Sequence, residues 1–327
     1  MAASWPLKAE SAFLCMTVAN MPSIQLEYVV CPLCGSSEAR PLLSGPDRVH
    51  GVPGRFHVVE CIQCGLAYQN PRPTAQSFAA IYPPEYEPYH EQVIDAGHLH
   101  PDLAMTCAFV RRSQPTGGKL LDIGCGPGRF LQALQLTQPH WQLLGVEPDP
   151  QAAHMAQQQG LQIINSTIEQ ARVEQGVWDA ITLWNVIEHL SDPVAMLQEA
   201  RRLLRPGGML YMAVPLRDSW DARLFGRYWT GWELPRHFTL FDKATLIQLL
   251  DKAGFKIRKS ACINGRSYGF SASLRLLLQE QTGDFTLRRL GEALTYSRPL
   301  ALALSPYTAL AVAMRRCTVL SIAADME

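Results

Sequence analysis

The sequence predicts an α/β fold in which a doubly wound sheet follows a small cysteine-rich module and carries a helical C-terminal insertion. The first observation is an apolar strand that enters a glycine-rich turn and then a helix, across residues 120–136. The second is a series of later apolar runs, separated by stretches long enough for crossover helices. The third is size, because 327 residues of which 47% are hydrophobic can bury one large core and a minor module.

Residues 1–24 form the amino terminus. An apolar stretch follows Lys8, but Glu10 interrupts the segment and no clear small-residue cleavage site comes after it. We therefore expect a poorly ordered tail.

Two cysteine pairs with the same spacing lie within residues 25–75. Cys31 and Cys34 form one C-x-x-C-G knuckle, and Cys61 and Cys64 form the other. Four thiolates spaced in this way close a tetrahedron around Zn²⁺, whereas a redox pair or two disulfides would not explain the repeated knuckle. We predict a zinc ribbon whose closed, structural site stabilises a core that is too small to fold alone.

Residues 76–100 connect this module to the main domain. The stretch from Tyr82 to Tyr89 contains three prolines, which exclude a regular helix or a central strand. Two interpretations stay open: a stiff linker, or a lid whose tyrosines cover a bound ligand.

The most informative stretch is residues 120–130, which read Leu-Leu-Asp-Ile-Gly-Cys-Gly-Pro-Gly-Arg-Phe. Glycine permits a turn that a Cβ would forbid, and it lets a ligand approach the main chain closely. The G-x-G-x-x-G order of dinucleotide sites fails here, because Arg129 stands where the third glycine would be. The order D-x-G-x-G-x-G, from Asp122 to Gly128, predicts a nucleotide-binding strand, loop and helix.

Later strands complete a seven-stranded Rossmann-like sheet. Glu147 ends an apolar run that begins at Trp141, a position from which a carboxylate accepts hydrogen bonds from ribose hydroxyls. Pro206-Gly207-Gly208 closes a predicted helix and leads into another apolar run. The second, fourth, fifth and sixth strands are predicted at 141–146, 177–185, 209–214 and 255–259.

These motifs, with Glu188-His189-Leu190 after the fourth strand, resemble the class I S-adenosylmethionine (SAM) dependent methyltransferases. The resemblance implies a SAM-binding domain at 101–262, in which the aspartate of the motif lies near the methionine part of the cofactor. The glycine loop would pass beneath the cofactor. The cofactor-binding residues expected on this basis are Asp122, Gly124, Cys125, Gly126, Gly128, Glu147, Trp184 and Asn185.

A sulfonium methyl group is already activated, so transfer mainly requires alignment of the acceptor atom with the methyl. For a hydroxyl acceptor a base should help, and we expect His189 as the first candidate, His237 as the second, and Glu188 as the orienting carboxylate. Two alternatives stay open. In the first, Glu188 and His189 only cap and pack the following turn. In the second, Glu188, His189 and His237 hold a divalent ion, as related residues do in some methyltransferases.

An aromatic-rich segment lies between the fifth strand and His237. It would form either an apolar wall over the strand ends, where open α/β sheets bind ligands, or part of the core. Its aromatic residues are Trp220, Phe225, Tyr228, Trp229 and Trp232.

Residues 263–314 are predicted to be a helical insertion or cap, and residues 315–327 the final strand and tail. The segment 299–314 carries no charge, but it is short for a bilayer span and Pro306 interrupts it. We expect a buried cap, with the last strand at 317–323. The alternative is an interfacial hairpin that contacts a membrane or a lipid substrate.

The chain carries 29 Lys and Arg against 29 Asp and Glu, so no overall basic field attracts nucleic acid. The other cysteines, at 15, 107, 125, 262 and 317, show no paired spacing. Unpaired cysteines suit a reducing compartment, so we expect a cytoplasmic protein, with membrane association as the alternative.

The resemblance implies methyl transfer to oxygen or carbon of a small-molecule acceptor: a sugar, a phenol or quinone, or a secondary metabolite. Methylation of DNA bases is disfavoured, because Asn185 is followed by Val186 and Ile187 where DNA amino-methyltransferases carry Pro-Pro-Tyr. One alternative is a zinc-bearing RNA methyltransferase, which the neutral charge disfavours. The other is a non-catalytic SAM-binding assembly module, which would call for a degenerate glycine loop.

Overall fold

The computed structural model describes residues 24–82, 99–114, 116–263, 268–282 and 297–327. The strands in these ranges are β1 (Leu26–Glu27), β2 (Ala39–Gly45), β3 (Phe56–Cys61), β4 (Ala67–Gln69), β5 (Arg72–Pro73), β6 (Gly118–Ile123), β7 (Trp141–Glu147), β8 (Ile163–Asn165), β9 (Trp178–Trp184), β10 (Leu204–Pro215), β11 (Thr239–Leu240), β12 (Phe255–Ala261) and β13 (Val319–Met326). The helices are α1 (Phe78–Ile81), α2 (Pro101–Ser113), α3 (Arg129–Thr137), α4 (Pro150–Gln158), α5 (Pro193–Leu203), α6 (Trp220–Phe225), α7 (Lys243–Lys252), α8 (Tyr268–Thr282), α9 (Arg298–Ala303) and α10 (Ser305–Ala313). Most of the predicted tail and of the predicted linker or lid lies outside the described residues.

Seven strands form one sheet in the order β12, β13, β10, β9, β6, β7, β8. Strands β10, β9, β6, β7 and β8 are parallel, whereas β13 is antiparallel to both of its neighbours. The chain thus moves outward from β6 to one edge and then returns to build the other side. This confirms the prediction of a doubly wound, seven-stranded α/β fold.

The sheet carries an apolar core on each face. Successive side chains of a strand point to opposite faces, and neighbouring residues of the central strands belong to two different buried clusters. Leu120 and Ala180 pack in one cluster, and Leu121 and Ile181 in the other. All four side chains are fully buried, so the central strands are apolar on both sides, as parallel strands usually are.

Two departures from the predicted strands have local causes. Strand β8 was not predicted, because three residues are too few to show a periodicity. Strand β10 is longer than predicted: it begins at Leu204 and includes Pro206-Gly207-Gly208, where its register against β9 is irregular. The glycines therefore form an irregular start to the strand directly after α5.

Helices α4 and α5 begin with the same N-cap arrangement. Asp149 and Asp192 accept hydrogen bonds from the backbone amides of Ala152 and Ala195, which would otherwise lack a partner. A proline follows each aspartate at the first helical position, where its missing amide hydrogen costs nothing.

The cysteine-bearing module shares a sheet with the main domain. Its strands β2, β3 and β4 are antiparallel, and β11 adds to β4 as the fourth strand. Because β11 comes from residues 239–240, more than 160 residues after β4, the module and the main domain form one folding unit at this edge.

The aromatic-rich segment packs as core. Trp229 is 1% exposed and belongs to a buried cluster with Phe56 and Val58 of the module and Leu276 of α8. Of the two interpretations, core packing therefore describes Trp229. The segment joins the module to the helical insertion by burying apolar surface between them.

The C-terminal insertion is helical, as predicted, and its helices α8, α9 and α10 lie between β12 and β13. The expectation that residues 299–314 form a buried cap is wrong, because Leu302 and Met314 are 74% and 58% exposed. Helix α10 contacts α6 through Tyr307, whose hydroxyl donates to Asp221 over 2.6 Å. Within the described parts of the chain, no helix combines the length and apolar character needed to cross a membrane.

The expectation that the cysteines outside the two knuckles are unpaired is wrong for two of them. Cys262, just after β12, and Cys317, just before β13, form a disulfide with their Cα atoms 5.9 Å apart. The pair is separated by 55 residues of sequence, and it meets only because the two strands are neighbours in the sheet. The disulfide closes the base of the helical insertion.

Candidate active site

The glycine loop between β6 and α3 is the first part of the site. Gly124, Gly126 and Gly128 have φ values of +70°, +53° and +82°, a region that favours glycine. A Cβ on Gly124 would lie 2.7 Å from Val186, so the loop packs tightly against the segment after β9. A Cβ on Gly126 would meet nothing within 4 Å, so this glycine faces open space in which a ligand can approach the main chain.

Two buried carboxylates flank the loop. Asp122, 2% exposed, accepts a hydrogen bond from the Thr182 hydroxyl over 2.6 Å. Burial, together with the charge of Glu147, raises the pKa of Asp122 to about 7. Glu147, 4% exposed, accepts from the amides of Gly126 and Asp149 over 2.8 Å each, and burial raises its pKa despite these bonds. Glu147 therefore holds the loop in place, and each of its oxygens has a further lone pair for a ribose hydroxyl.

The end of β9 supplies the third side. Trp184 packs edge to face on Phe130 with ring centroids 5.2 Å apart, and its indole nitrogen is buried without a hydrogen-bond partner among the described residues. Asn185 follows with a φ of +54°, which turns the chain away from the strand.

All of the predicted cofactor-binding residues therefore lie at the carboxyl ends of β6, β7 and β9. The strand order reverses at this point of the sheet, since β7 lies on one side of β6 and β9 on the other. Open α/β sheets bind ligands at such a point. The glycine cradle, the buried carboxylates and the unpartnered indole fit a nucleoside-bearing cofactor such as SAM.

A second group of side chains lies just beyond β9. Glu188 and His189 occupy a 3₁₀ turn at Ile187–His189, and His237 comes from the loop before β11. Each can offer one ligand atom within 4.8 Å of the others, and the two imidazole rings meet edge to face at 4.6 Å. The structure thus brings together the three residues predicted for catalysis, here called the Glu188 cluster.

Burial controls the protonation of this cluster. Glu188 is 1% exposed, neither of its carboxylate oxygens has a hydrogen-bond partner among the described residues, and burial raises its pKa to about 8. Burial and the neighbouring His237 lower the pKa of His189 to about 3. Burial also lowers the pKa of His237. Both imidazoles are therefore neutral at physiological pH.

Each imidazole has one ring nitrogen engaged. Nδ1 of His237 lies 2.8 Å from the carbonyl oxygen of Gly231, which can only accept, so Nδ1 carries the hydrogen. Nδ1 of His189 lies 3.0 Å from the hydroxyl of Tyr82, the first tyrosine of the predicted linker or lid. Nε2 of His237 therefore keeps its lone pair, whereas the ring of His189 also hydrogen-bonds the backbone of Arg236.

Glu233 is a further carboxylate beside the cluster. Its Oε2 lies 3.6 Å from Nε2 of His237, and its Oε1 lies 3.2 Å from Nε of Arg236. Although burial alone would raise the pKa of Glu233, His237 and Arg236 lower it.

The loop that bears His237 is fixed by an ion pair to the module. Arg236 is fully buried, and its guanidinium donates to both oxygens of Asp47 over 2.8 Å. Asp47 also accepts from the amides of Val49, His50 and Val52, so one carboxylate orders its own loop and the distant arginine.

The same loop is held a second time through its main chain. The side-chain amide of the fully buried Gln69 donates to the carbonyl oxygens of Pro235 and His237, over 2.9 and 2.7 Å. The amide of Phe238 donates to the carbonyl oxygen of Glu188 over 2.8 Å. Sequence reasoning missed Asp47, Gln69 and Arg236, because no local pattern reveals a contact between residues so far apart.

The four predicted metal-binding cysteines converge in the module. Sγ of Cys31 lies 3.5 Å from that of Cys64, Sγ of Cys34 lies 3.5 Å from that of Cys61, and all four lie within 4.8 Å of one another. Each knuckle is closed by the amide of its following glycine, which donates to the carbonyl oxygen of the first cysteine. Four soft sulfur donors on two such knuckles fit a tetrahedral Zn²⁺.

Residues 96–260 match the family described as a methyltransferase domain, which is half of the chain. The chain therefore belongs to this methyltransferase domain family. With its glycine loop and Rossmann-like sheet, it is a SAM-dependent methyltransferase.

The chain is 29% identical over 159 residues to a ubiquinone biosynthesis O-methyltransferase of Xanthomonas axonopodis, covering 45% of this chain and 66% of the relative. It is 31% identical over 173 residues to the enzyme of that name from Cereibacter sphaeroides, covering 49% of this chain and 69% of the relative. An uncharacterized protein of a Streptomyces fradiae transposon is 32% identical over 112 residues, or 32% of each chain. The chain thus spans between a third and about two thirds of the length of these curated relatives.

Among solved structures, the chain is similar to phosphoethanolamine N-methyltransferase 2 of Haemonchus contortus in complex with SAM. The TM-score is 0.50 at 15% identity, with 80% of this chain and 62% of the other covered. At this identity the similarity describes the fold alone.

Proposed function

We propose that the protein transfers the methyl group of SAM to an oxygen or carbon atom of a small-molecule acceptor. The acceptor classes are a sugar, a phenol or quinone, or a secondary metabolite. The observation that carries this proposal is the position of the Glu188 cluster on the turn after β9. Val186, at the start of that turn, packs so closely on Gly124 of the glycine loop that a Cβ on Gly124 would lie 2.7 Å from it. The two relatives named as O-methyltransferases favour oxygen.

The cofactor supplies an activated methyl group, so the protein has mainly to hold and align the reactants. We assign the glycine loop and Asp122 to the methionine end of the cofactor and Glu147 to its ribose hydroxyls. Trp184 and Asn185 form the adjoining wall at the end of β9. The buried carboxylates are already hydrogen-bonded to the loop and to Thr182, so their positions are set before the ligand binds.

Glu188, His189 and His237 are assigned to the acceptor end. A hydroxyl acceptor loses its proton when the new O–C bond forms, and groups within reach of that oxygen have to stabilise the developing negative charge or take the proton. Their convergence just after the segment that packs on Gly124 supports this assignment. They are the catalytic residues of this proposal.

We also propose that Cys31, Cys34, Cys61 and Cys64 bind one structural Zn²⁺. The convergence of four sulfur atoms and the sheet shared through β11 support this role. Zinc would then stabilise the module that holds the His237 loop, without taking part in the transfer.

The first experiment measures the thermal midpoint of unfolding with and without S-adenosylhomocysteine, because a ligand that binds only the native state raises it. We expect a clear rise for the wild-type chain and for the exposed control Glu169→Ala, and a smaller rise for Glu147→Gln. An acceptor screen with labelled SAM, starting from sugars and phenols, follows. The absence of a rise at saturating ligand would contradict the assignment, and binding without turnover on any acceptor would favour an assembly module.

A further inference from the structure

Helices α9 and α10 leave apolar side chains uncovered. The segment 299–314 contains no charged residue, yet Leu302, Leu310 and Met314 are 74%, 54% and 58% exposed. Leu310 and Met314 are one helical turn apart, so they lie on the same side of α10. These three side chains are here called the apolar face. Exposed apolar residues grouped in this way often mark an interaction site.

Helix α6 adds to the apolar surface. Trp220 of α6 packs on Tyr307 of α10, with ring centroids 5.8 Å apart. Leu224 is 61% exposed and comes one turn after Trp220, so it lies on the side of α6 that meets α10. Tryptophan and tyrosine are the residues that favour the boundary between a membrane and water, because each ring has an apolar body and a polar end.

Two of the polar side chains in the segment are engaged within the protein. The hydroxyl of Tyr307 donates to Asp221 over 2.6 Å, and that of Thr308 donates to the carbonyl oxygen of Ser305 over 3.1 Å. A protein partner normally finds hydrogen-bonding groups, about one per 100–200 Å² of interface. The hydrocarbon of a bilayer needs none, so the apolar face suits a lipid surface better than a protein surface.

Cationic side chains lie where α10 ends. Arg315 and Arg316 follow Met314 directly, and Arg315 is exposed. Burial and both arginines lower the pKa of Lys243, whereas Asp218 raises it, so the four groups lie near one another. Asp218 pairs with Arg316 over 2.6 Å, which leaves this group with an excess of two positive charges. An anionic surface would complement that excess.

The insertion leaves the sheet at the edge that carries the glycine loop. Val319, at the start of β13, pairs with Pro215 at the end of β10, and Ala261 at the end of β12 pairs with the same part of β13. Strands β10, β9 and β6 are parallel, so their carboxyl ends lie at one edge of the sheet. A surface that binds at the end of α10 would therefore lie at the same edge as the candidate active site.

We propose that the protein docks peripherally on anionic lipid bilayers through α9 and α10. The apolar face would lie among the acyl chains, and Lys243 and Arg315 beside the headgroup phosphates. Helix α10 has nine residues and is about 14 Å long, whereas the hydrocarbon core of a bilayer is about 30 Å thick. The helices would therefore lie in the interface. An apolar face and a cationic group together supply the two signals that stable membrane attachment needs.

The test sediments the full chain with vesicles of phosphatidylcholine alone, or of phosphatidylcholine mixed with the anionic phosphatidylglycerol. We expect binding to the anionic vesicles that weakens as salt is added, and much weaker binding to the neutral ones. Arg315→Gln should weaken binding to the anionic vesicles about fivefold, because each cation near such a surface contributes about that factor. The exposed control Arg172→Gln should bind as the wild type does.

The contribution of the apolar face is tested with Leu302→Glu and Leu310→Glu. Each should weaken binding at least about tenfold, because a buried leucine is replaced by a charge that stays in water. The matched control is Leu136→Glu on α3, where the leucine is 57% exposed, and it should bind as the wild type does. All variants should keep the thermal midpoint of the wild type and its rise with S-adenosylhomocysteine, which reports the fold and the proposed cofactor site independently of lipid.

Amide hydrogen exchange locates the contact without a substitution. We expect exchange in residues 299–314 to slow when anionic vesicles are added, and exchange in β2 and β3 to stay unchanged. Slowing confined to the cysteine-bearing module would overturn the proposal.

Four other results would also overturn it. They are the absence of binding to anionic vesicles, equal binding to neutral vesicles, undiminished binding of both glutamate variants, and a wild-type dimer that excludes vesicles and dissociates in Leu302→Glu. In the last case a second copy of the chain would cover the apolar face. Vesicle binding without any effect of S-adenosylhomocysteine would support the docking and contradict only the proposed function.

Discussion

The ion pair between Asp47 and Arg236 allows the coupling between the module and the His237 loop to be tested. Both side chains have no exposed area, and two hydrogen bonds of 2.8 Å join them. Asp47→Ala leaves the guanidinium buried without its counter-charge and removes the acceptor for three backbone amides. Breaking a buried pair by removing one partner costs about 3–5 kcal/mol, so we expect the free energy of unfolding to fall by about that amount.

The assay is chemical denaturation of the full chain, followed by tryptophan fluorescence, since the buried Trp229 lies between the module and the insertion. Asp47→Asn keeps one carbonyl oxygen as an acceptor for the backbone amides. Its free energy of unfolding should therefore lie between those of the wild type and Asp47→Ala. The matched control is Arg40→Ala, whose pair with Glu60 is on the surface with the arginine 71% exposed. That change should alter the free energy of unfolding by less than about 1 kcal/mol.

The double variant Asp47→Leu with Arg236→Met distinguishes the net contribution of the pair from the cost of leaving one buried charge without its partner. Apolar residues of similar size remove both charges, and such replacements of a buried pair are often neutral or stabilising. We expect the double variant to be more stable than Asp47→Ala. If Asp47→Ala loses less than about 1 kcal/mol, no more than the surface control, the buried pair does not hold the loop and the coupling argument fails.

Four further outcomes follow from the structure. Gly124→Ala should weaken binding of S-adenosylhomocysteine, measured by calorimetry, because its Cβ would meet Val186 at a φ of +70°; unchanged affinity would contradict the packing. The raised pKa of Asp122, about 7, means that the folded state holds an extra proton, so stability should decline between about pH 4 and pH 7, and less steeply in Asp122→Asn. Cys262→Ser should lower the free energy of unfolding by about 4 kcal/mol in oxidising buffer and change little in dithiothreitol; equal effects would argue against the disulfide. Chelation of zinc should increase amide exchange in β4 and β11 before it affects β6, and uniform exchange would contradict local coupling.

The strand, glycine turn and helix proposed to bind the cofactor could be predicted from the sequence, because they are local. Asp122 to Gly128 form one strand, one turn and one helix start, and the spacing of Cys31, Cys34, Cys61 and Cys64 repeats within a single module. Residue type and short spacing carry this information. The sheet order follows, because alternating strands and helices permit few arrangements.

The rest could not be predicted, because it depends on contacts between distant segments. Asp47 and Arg236 are separated by 189 residues, and Gln69 and His237 by 168. The disulfide of Cys262 and Cys317 depends on β13 entering the sheet beside β12. The apolar segment 299–314 was expected to be buried, but apolar composition alone does not say whether a surface is available to cover it.

The two ends of the site therefore differ in how they are built, and this has a consequence for specificity. The proposed cofactor end is formed by backbone turns at the carboxyl ends of the sheet, where Gly124, Gly126 and Gly128 have positive φ values that favour glycine. The proposed acceptor end combines the turn after β9 with a loop that is held from outside the sheet by Asp47 and Gln69. We therefore expect a change in the module to displace His237 while Asp122 and Glu147 stay in place. Changes at that interface should therefore alter the choice of acceptor more than the affinity for SAM.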